Sequence, residues 1–260
     1  MTANPANPVP ADSTNPRQAV RVQVEGLRKS FHGVEVLRGI NLTAEPGENL
    51  CVIGPSGCGK SVLLRHIIGL ERPDAGRVLI DGMDAASEEA KARYRMAMVF
   101  QSSALFNSMT VAENIALYLR ENRVYKNEGQ ILRAVGEKLV LLGLEGNENK
   151  IPAELSGGMK KRVAIARALI VDPNLILYDE PTSELDPITS VNIAQMICDL
   201  KKRTRVTTIL VTHDRDLAFG TADRIAMMKD GVIVETDTPQ AIRASRNAIV
   251  QEFMHAKIDT

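Results

Sequence analysis

The run Gly54-Pro55-Ser56-Gly57-Cys58-Gly59-Lys60-Ser61 sets a lysine and a hydroxyl directly behind three spaced glycines, an arrangement suited to holding a polyphosphate. Glycines let backbone N–H groups curl around phosphate oxygens, and the positive end of a helix that starts at Lys60 adds to their field. Lys60 would bring a point charge to the β and γ oxygens, and Ser61 a hydroxyl to Mg²⁺. The cofactors this predicts are ATP and Mg²⁺. The context fits, because the apolar run Leu50 to Ile53 precedes the loop and a helical pattern, Lys60 to Leu70, follows it. A glycine-rich turn without chemistry would not need the full pattern in that setting.

A second constellation is Leu175-Ile-Leu-Tyr178 followed by Asp179 and Glu180. An apolar strand ending in two acids carries charge to the rim of a sheet. Asp179 is expected to hold Mg²⁺ directly or through water. Glu180 points elsewhere and is expected to polarise an attacking water as general base, which is typically worth about 10² to 10⁴ in rate.

The elements that must position these groups can be read from the same pattern. Val20, Val22 and Val24 alternate, and Ile40 to Thr43, Asn49 to Ile53, Arg77 to Ile80, Met96 to Phe100, Leu175 to Tyr178 and Thr207 to Val211 read as strands. Helical patterns lie between several of them, so a parallel sheet with both faces covered is expected. Thr110 with Glu113 predicts a capping box, Asp186-Pro187 a capped helix start, and Asp230-Gly231 a hairpin between Ile225–Met228 and Val232–Val234. Residues 1–19, rich in Pro, Asn and Ala, read as a flexible tail, 20–245 as the folded domain and 246–260 as a C-terminal helix or tail. In the last of these Ile249 with Phe253 and Val250 with Met254 form an apolar stripe.

Composition narrows the function. The chain has 260 residues, 44% of them hydrophobic, with 32 basic and 32 acidic side chains, so no global field draws it to nucleic acid. There is no apolar run long enough to span a bilayer and no signal-peptide pattern, which predicts a cytoplasmic protein. Cys51, Cys58 and Cys198 lack metal spacing and fit reduced thiols.

Leu155-Ser156-Gly157-Gly158-Met159 resembles the signature of ABC ATPases, and the resemblance extends from Val20 to about Thr238. It implies a P-loop NTPase (RecA-like) α/β fold, a parallel-sheet core with an antiparallel β subdomain and an α-helical subdomain at about 102–165. It also implies two subunits facing head to tail, each ATP lying between one P-loop and the other subunit's Ser156, Gly157 and Gly158. Phe31 resembles the aromatic that stacks on adenine, and Gln101 the glutamine that senses Mg²⁺ and water. Ser183-Glu184-Leu185-Asp186 resembles the D-loop, and His213 the switch histidine that contacts the γ-phosphate. The implied partners are a second copy of the chain and a transmembrane permease, with substrate-binding and small regulatory subunits beside them and no nucleic acid. The implied place is the cytoplasmic face of the inner membrane. Two positions depart from the common pattern, Met159 where Gln is frequent and Glu184 where a small residue is frequent.

Gln101-Ser-Ser-Ala-Leu105-Phe106-Asn-Ser-Met-Thr110-Val111, with Met159, Lys160, Lys161 and Arg162, resembles the ATPases of Mla and Mce phospholipid transporters. That makes phospholipid transport the expected task, with another ABC importer or exporter, or a non-transport ABC ATPase, as the alternatives. A second cassette or a long coiled-coil insert would favour the last, and neither pattern is present. A small-molecule kinase is disfavoured by the signature.

Overall fold

The computed structural model describes residues 18–255. Of the expected tail, residues 1–17 lie outside it, whereas Gln18 is tied to the domain by Asn174 Nδ2, which donates to its carbonyl at 2.9 Å. Val20 N donates to Thr207 Oγ1 at 3.1 Å, and that hydroxyl donates back to Val20 O at 2.6 Å.

The alternating valines lead into β1 (Val22–Phe31), which pairs antiparallel with β2 (Val34–Ala44). Next come β3 (Asn49–Ile53), buried throughout, and α1 (Lys60–Ile67). The helix stops three residues before the expected Leu70. Gly69 has φ 74°, its N–H donates to His66 O at 3.1 Å, and Leu70 N donates to Arg65 O at 2.9 Å, so a left-handed glycine closes the helix. β4 (Ala75–Ile80) joins β1, and β5 (Met83–Asp84) completes a four-stranded antiparallel sheet. A short helix, α2 (Glu88–Arg93), was not anticipated. Its start is marked by Ser87, whose hydroxyl accepts from Ala90 N at 3.1 Å.

After β6 (Met96–Val99) the chain forms α3 (Val111–Glu121), α4 (Glu128–Leu141) and α5 (Gly157–Leu169). The capping box at Thr110 and Glu113 is present. α5 runs on past residue 165, and its Val163, Ala164, Ile165, Ala166, Ala168 and Leu169 are buried in the same core as β6 and β7. Then follow β7 (Leu175–Asp179), α6 (Pro187–Thr204), β8 (Thr207–Thr212), α7 (Arg215–Thr221), β9 (Arg224–Lys229), β10 (Val232–Asp237), α8 (Pro239–Arg243) and α9 (Ala248–His255). Asp186 caps α6 through Thr189 N at 3.0 Å, with Pro187 in first place.

The larger sheet has the order β10-β9-β3-β8-β7-β6, parallel except for the terminal β10. Its strands alternate between two cores. Leu50, Val52, Leu175, Leu177, Ile209 and Val211 face α1 and the antiparallel sheet. Cys51, Ile53, Ile176, Tyr178 and Leu210 face the core built with α3 to α7. Fully burying each such aliphatic side chain stabilises the fold by about 1.5–3 kcal/mol. The stripe on α9 packs on its own domain, with Val250 buried and Ile249, Phe253 and Met254 against the same core. Among the described residues no helix is long and apolar enough to cross a membrane.

Candidate active site

The parallel strands deliver their carboxyl ends to one edge of the sheet, and the chemistry-bearing residues stand there. At the end of β3, Gly54 passes so close to β9 that a Cβ on it would lie 2.0 Å from Met228 O. Only glycine lets the loop leave the strand at this point. Gly59, with φ 108°, then turns the chain into α1, whose first turn holds no acid to offset its positive end. Lys60 folds back inside the loop, its Nζ donating to Gly54 O at 2.8 Å and Pro55 O at 3.1 Å and lying 3.5 Å from Glu180 Oε1. Gly54→Ala is therefore expected to lower stability by about 1–3 kcal/mol through overpacking. In thermal unfolding followed by circular dichroism this should read as a fall of several degrees, and an unchanged transition would contradict the close approach.

Asp179, the last residue of β7, accepts a hydrogen bond from Ser61 Oγ at 2.7 Å. Burial pushes its carboxyl above the ordinary carboxylate value, against the opposing effect of the Ser61 bond. Glu180 follows with φ 46°, a left-handed conformation costing about 1–3 kcal/mol for a residue with a side chain. The turn separates the two acids. Glu180 Oε2 accepts from Thr212 Oγ1 at 3.0 Å and His213 N at 3.2 Å, and His213 Nδ1 lies 3.0 Å from it. Thr212, the last residue of β8, was not singled out from the sequence, where the strand was ended at Val211.

Gln101 reaches the site from beyond β6. Its carbonyl accepts from the buried Lys161 of α5. Ser103 and Ala104 follow with φ 63° and 45°, and their carbonyls accept from Arg167 Nη2 at 3.1 Å and Nη1 at 2.8 Å. Leu105 is partly buried against the core, and Phe106 is 49% exposed. The buried Asn114 holds the Phe106 backbone, accepting from its N–H at 2.8 Å and donating to its carbonyl at 3.1 Å. Neither Arg167 nor Asn114 carries a sequence signal for this, since each acts on a segment brought to it by the fold.

One cleft of about 250 Å³ gathers Ser56, Gly57, Gly59, Lys60, Ser61, Gln101, Glu180 and His213, together with Val36 and Val62. Cys58 is buried behind it. Phe31 is not among the lining residues. It ends β1 opposite Val34, with Lys29 Nζ 5.3 Å from its ring centroid. Ser156, Gly157 and Gly158 are not in the cleft either. Ser156 caps α5 through Met159 N at 3.3 Å, both Ser156 and Gly157 are exposed, and Gly158 packs so tightly on α6 that a Cβ would meet Thr189 Cγ2 at 2.5 Å. The first turn of α5 also lacks an acid.

The cleft suits a Mg²⁺-bound triphosphate. Ser61 and Asp179 offer adjacent hard oxygens of the kind Mg²⁺ takes, and the Lys60 ammonium rests on backbone carbonyls that a phosphate can replace. Gly57 leaves open space where a side chain would stand.

Comparison with known proteins agrees with this geometry. A profile of the ABC transporter family matches residues 37–183. The chain is 39% identical over 242 residues to a probable ribonucleotide transport ATP-binding protein, mkl, of Mycobacterium tuberculosis, covering 92% of this chain and 67% of that protein. It is 42% identical over 234 residues to the Fe(3+) ions import ATP-binding protein FbpC of Rhizobium etli, covering 90% and 65%. Among solved structures, cbiO1 of Clostridium perfringens, part of the ABC transporter complex cbiONQ, superposes with a TM-score of 0.77 at 30% identity over 90% of this chain and 94% of that one. The dimeric bacterial ABC transporter cassette MJ0796 gives 0.76 at 32% identity over 84% and 98%.

Proposed function

We propose that this chain, which belongs to the ABC transporter family and is one of its ATP-binding, ATP-hydrolysing subunits, drives a membrane permease by closing with a second copy of itself around ATP. The observation that carries the reading is the division of the site. Lys60, Ser61, Gln101, Glu180 and His213 share one cleft, while Ser156 and Gly157 face outward at the start of a different helix. A second copy brings that helix start to the first copy's nucleotide. The solved cassette MJ0796 is dimeric, which supports the same arrangement here.

In this reading Lys60 moves from the Gly54 and Pro55 carbonyls to the β and γ oxygens. Ser61 and Asp179 would hold Mg²⁺, and Gln101 would contribute to that site. When bound, Mg²⁺ neutralises charge on the phosphate oxygens. Glu180 orients a water and takes its proton as the water oxygen bonds to the γ-phosphorus and the bond to the bridging oxygen breaks, releasing ADP and phosphate. His213, on the exposed side of Glu180, contacts the γ-phosphate. Phe31 is left to the adenine end, and Glu184, with φ 66°, sits in the D-loop where the two copies meet.

The permease contact is assigned to Leu105 and Phe106. An exposed aromatic held by its backbone is suited to anchor a helix entering a socket. Phe106→Asp is expected to abolish co-purification with the permease at unchanged affinity for a fluorescent ATP analogue. Retained co-purification would remove this face from the contact. Such a complex places the chain on the cytoplasmic face of the inner membrane, with substrate-binding and small regulatory subunits as further members.

Two cargo readings follow from different observations. The relatives' named tasks, ribonucleotide transport and Fe(3+) import, favour a transporter of another solute. The Gln101 to Val111 segment and Met159 to Arg162 favour phospholipid. Reconstitution of the complex in proteoliposomes separates them. ATP-dependent movement of labelled phospholipid supports the second, and stimulation only by a polar solute supports the first.

A further inference from the structure

α5 carries two cations that, among the described residues, donate to main-chain oxygens of one short segment. Lys161 Nζ donates to Gln101 O, and Arg167 donates to Ser103 O at 3.1 Å and Ala104 O at 2.8 Å. The Arg167 guanidinium also lies 5.9 Å from the Phe106 ring centroid. At the other end of the same helix, the exposed Ser156 caps α5 through Met159 N. We propose that Arg167 is a positioning residue which, with Lys161, fixes the segment 101–106 to the signature helix, so that Gln101, Phe106 and Ser156 move as one body. The inference rests on the ABC ATPase reading above.

The argument is one of restraint. Ser103 and Ala104 both hold left-handed backbone conformations, which relax unless the surroundings over-determine them. Ser103 N donates to Phe100 O at 2.9 Å and Asn114 holds Phe106, and the carbonyls of Gln101, Ser103 and Ala104 are held by the charged donors, whose hydrogen bonds are stronger than neutral ones. A planar guanidinium reaches two successive carbonyls at once, which an ammonium does not. Lys161 extends the same tie toward the D-loop, with its Nζ 3.4 Å from Ser183 Oγ. A displacement of α5 when its first turn meets the partner's nucleotide is therefore carried to the cleft glutamine and to the permease face together.

The test is hydrogen–deuterium exchange on the full chain carrying Glu180→Gln, with and without Mg-ATP. In this parent, nucleotide should slow exchange at the start of α5 and across 101–106 in step. Adding Arg167→Ala should leave the α5 response in place, while amides in 101–106 exchange about tenfold faster and no longer respond to nucleotide. Slow exchange of β3, β7 and β8 must be retained, which separates loosening of this segment from loss of the fold. If Arg167→Ala does not fold, Arg167→Lys decides, with exchange across 101–106 at least about threefold faster and a reduced nucleotide response. A full, parent-like response of 101–106 in the folded variants overturns the proposal. A parent in which α5 itself ignores nucleotide overturns the sandwich reading and this inference with it, and that failure is recognised without any Arg167 variant.

Discussion

Glu180→Gln should reduce ATP turnover by about 10² to 10⁴ while nucleotide binding is kept. The amide occupies the same volume, and its carbonyl oxygen can accept from Thr212 Oγ1 and His213 N as Oε2 does now. The backbone turn at Glu180 is retained as well, so the substitution removes the proton acceptor and little else. Two consequences are separately measurable. Phosphate release should fall to near background, and a dimer stable to gel filtration should accumulate with Mg-ATP, since closure is no longer followed by hydrolysis. Turnover within about threefold of the parent chain would remove Glu180 from the role of base, because the expected general-base contribution is far larger.

Lys60→Ala and Ser156→Arg should separate the two halves of the site. Lys60 is buried, touches Glu180 and reaches the loop's own carbonyls, so its loss removes the only lysine lining the described cleft. A charge-assisted phosphate contact contributes about 1.5–3 kcal/mol, which converts to roughly 10–150-fold weaker nucleotide binding by a single copy. Ser156 lies outside the cleft, so Ser156→Arg should leave that binding within about twofold and instead abolish ATP-dependent dimer formation and turnover. Isothermal titration with a non-hydrolysable ATP analogue reads the first effect, and light scattering reads the second. Equal loss of nucleotide affinity in both variants would mean that the signature does not act across an interface.

How much of this was legible in the sequence depends on whether a residue acts through its neighbours in the chain or across the fold. Gly54 to Ser61, Asp179 and Glu180 follow apolar strands, so their type and position together stated where they would stand. The boundaries of β3 and the caps at Thr110 and Asp186 were equally local. Thr212, Asn114, Lys161 and Arg167 were different. Thr212 read as the residue after a strand, and Lys161 as part of a basic run. Arg167 is separated from Ser103 by 64 positions, and only the packing of α5 beside β6 reveals the tie. The end of α1 was misjudged for a smaller reason, since a glycine two places beyond Ile67 outweighed the apolar spacing that ran on to Leu70.

The alternation of β3 and β7 between two cores bears on how such a subunit diverges. Leu50, Val52, Leu175 and Leu177 answer to α1 and the antiparallel sheet, whereas Cys51, Ile53, Ile176 and Tyr178 answer to the helical side. Side chains on the helical face of these strands can therefore change without disturbing those on the other face. The opposite face, which seats the helix behind the phosphate loop, keeps its own partners throughout. The seat of the phosphate-loop helix can in this way stay fixed while the helical side is repacked.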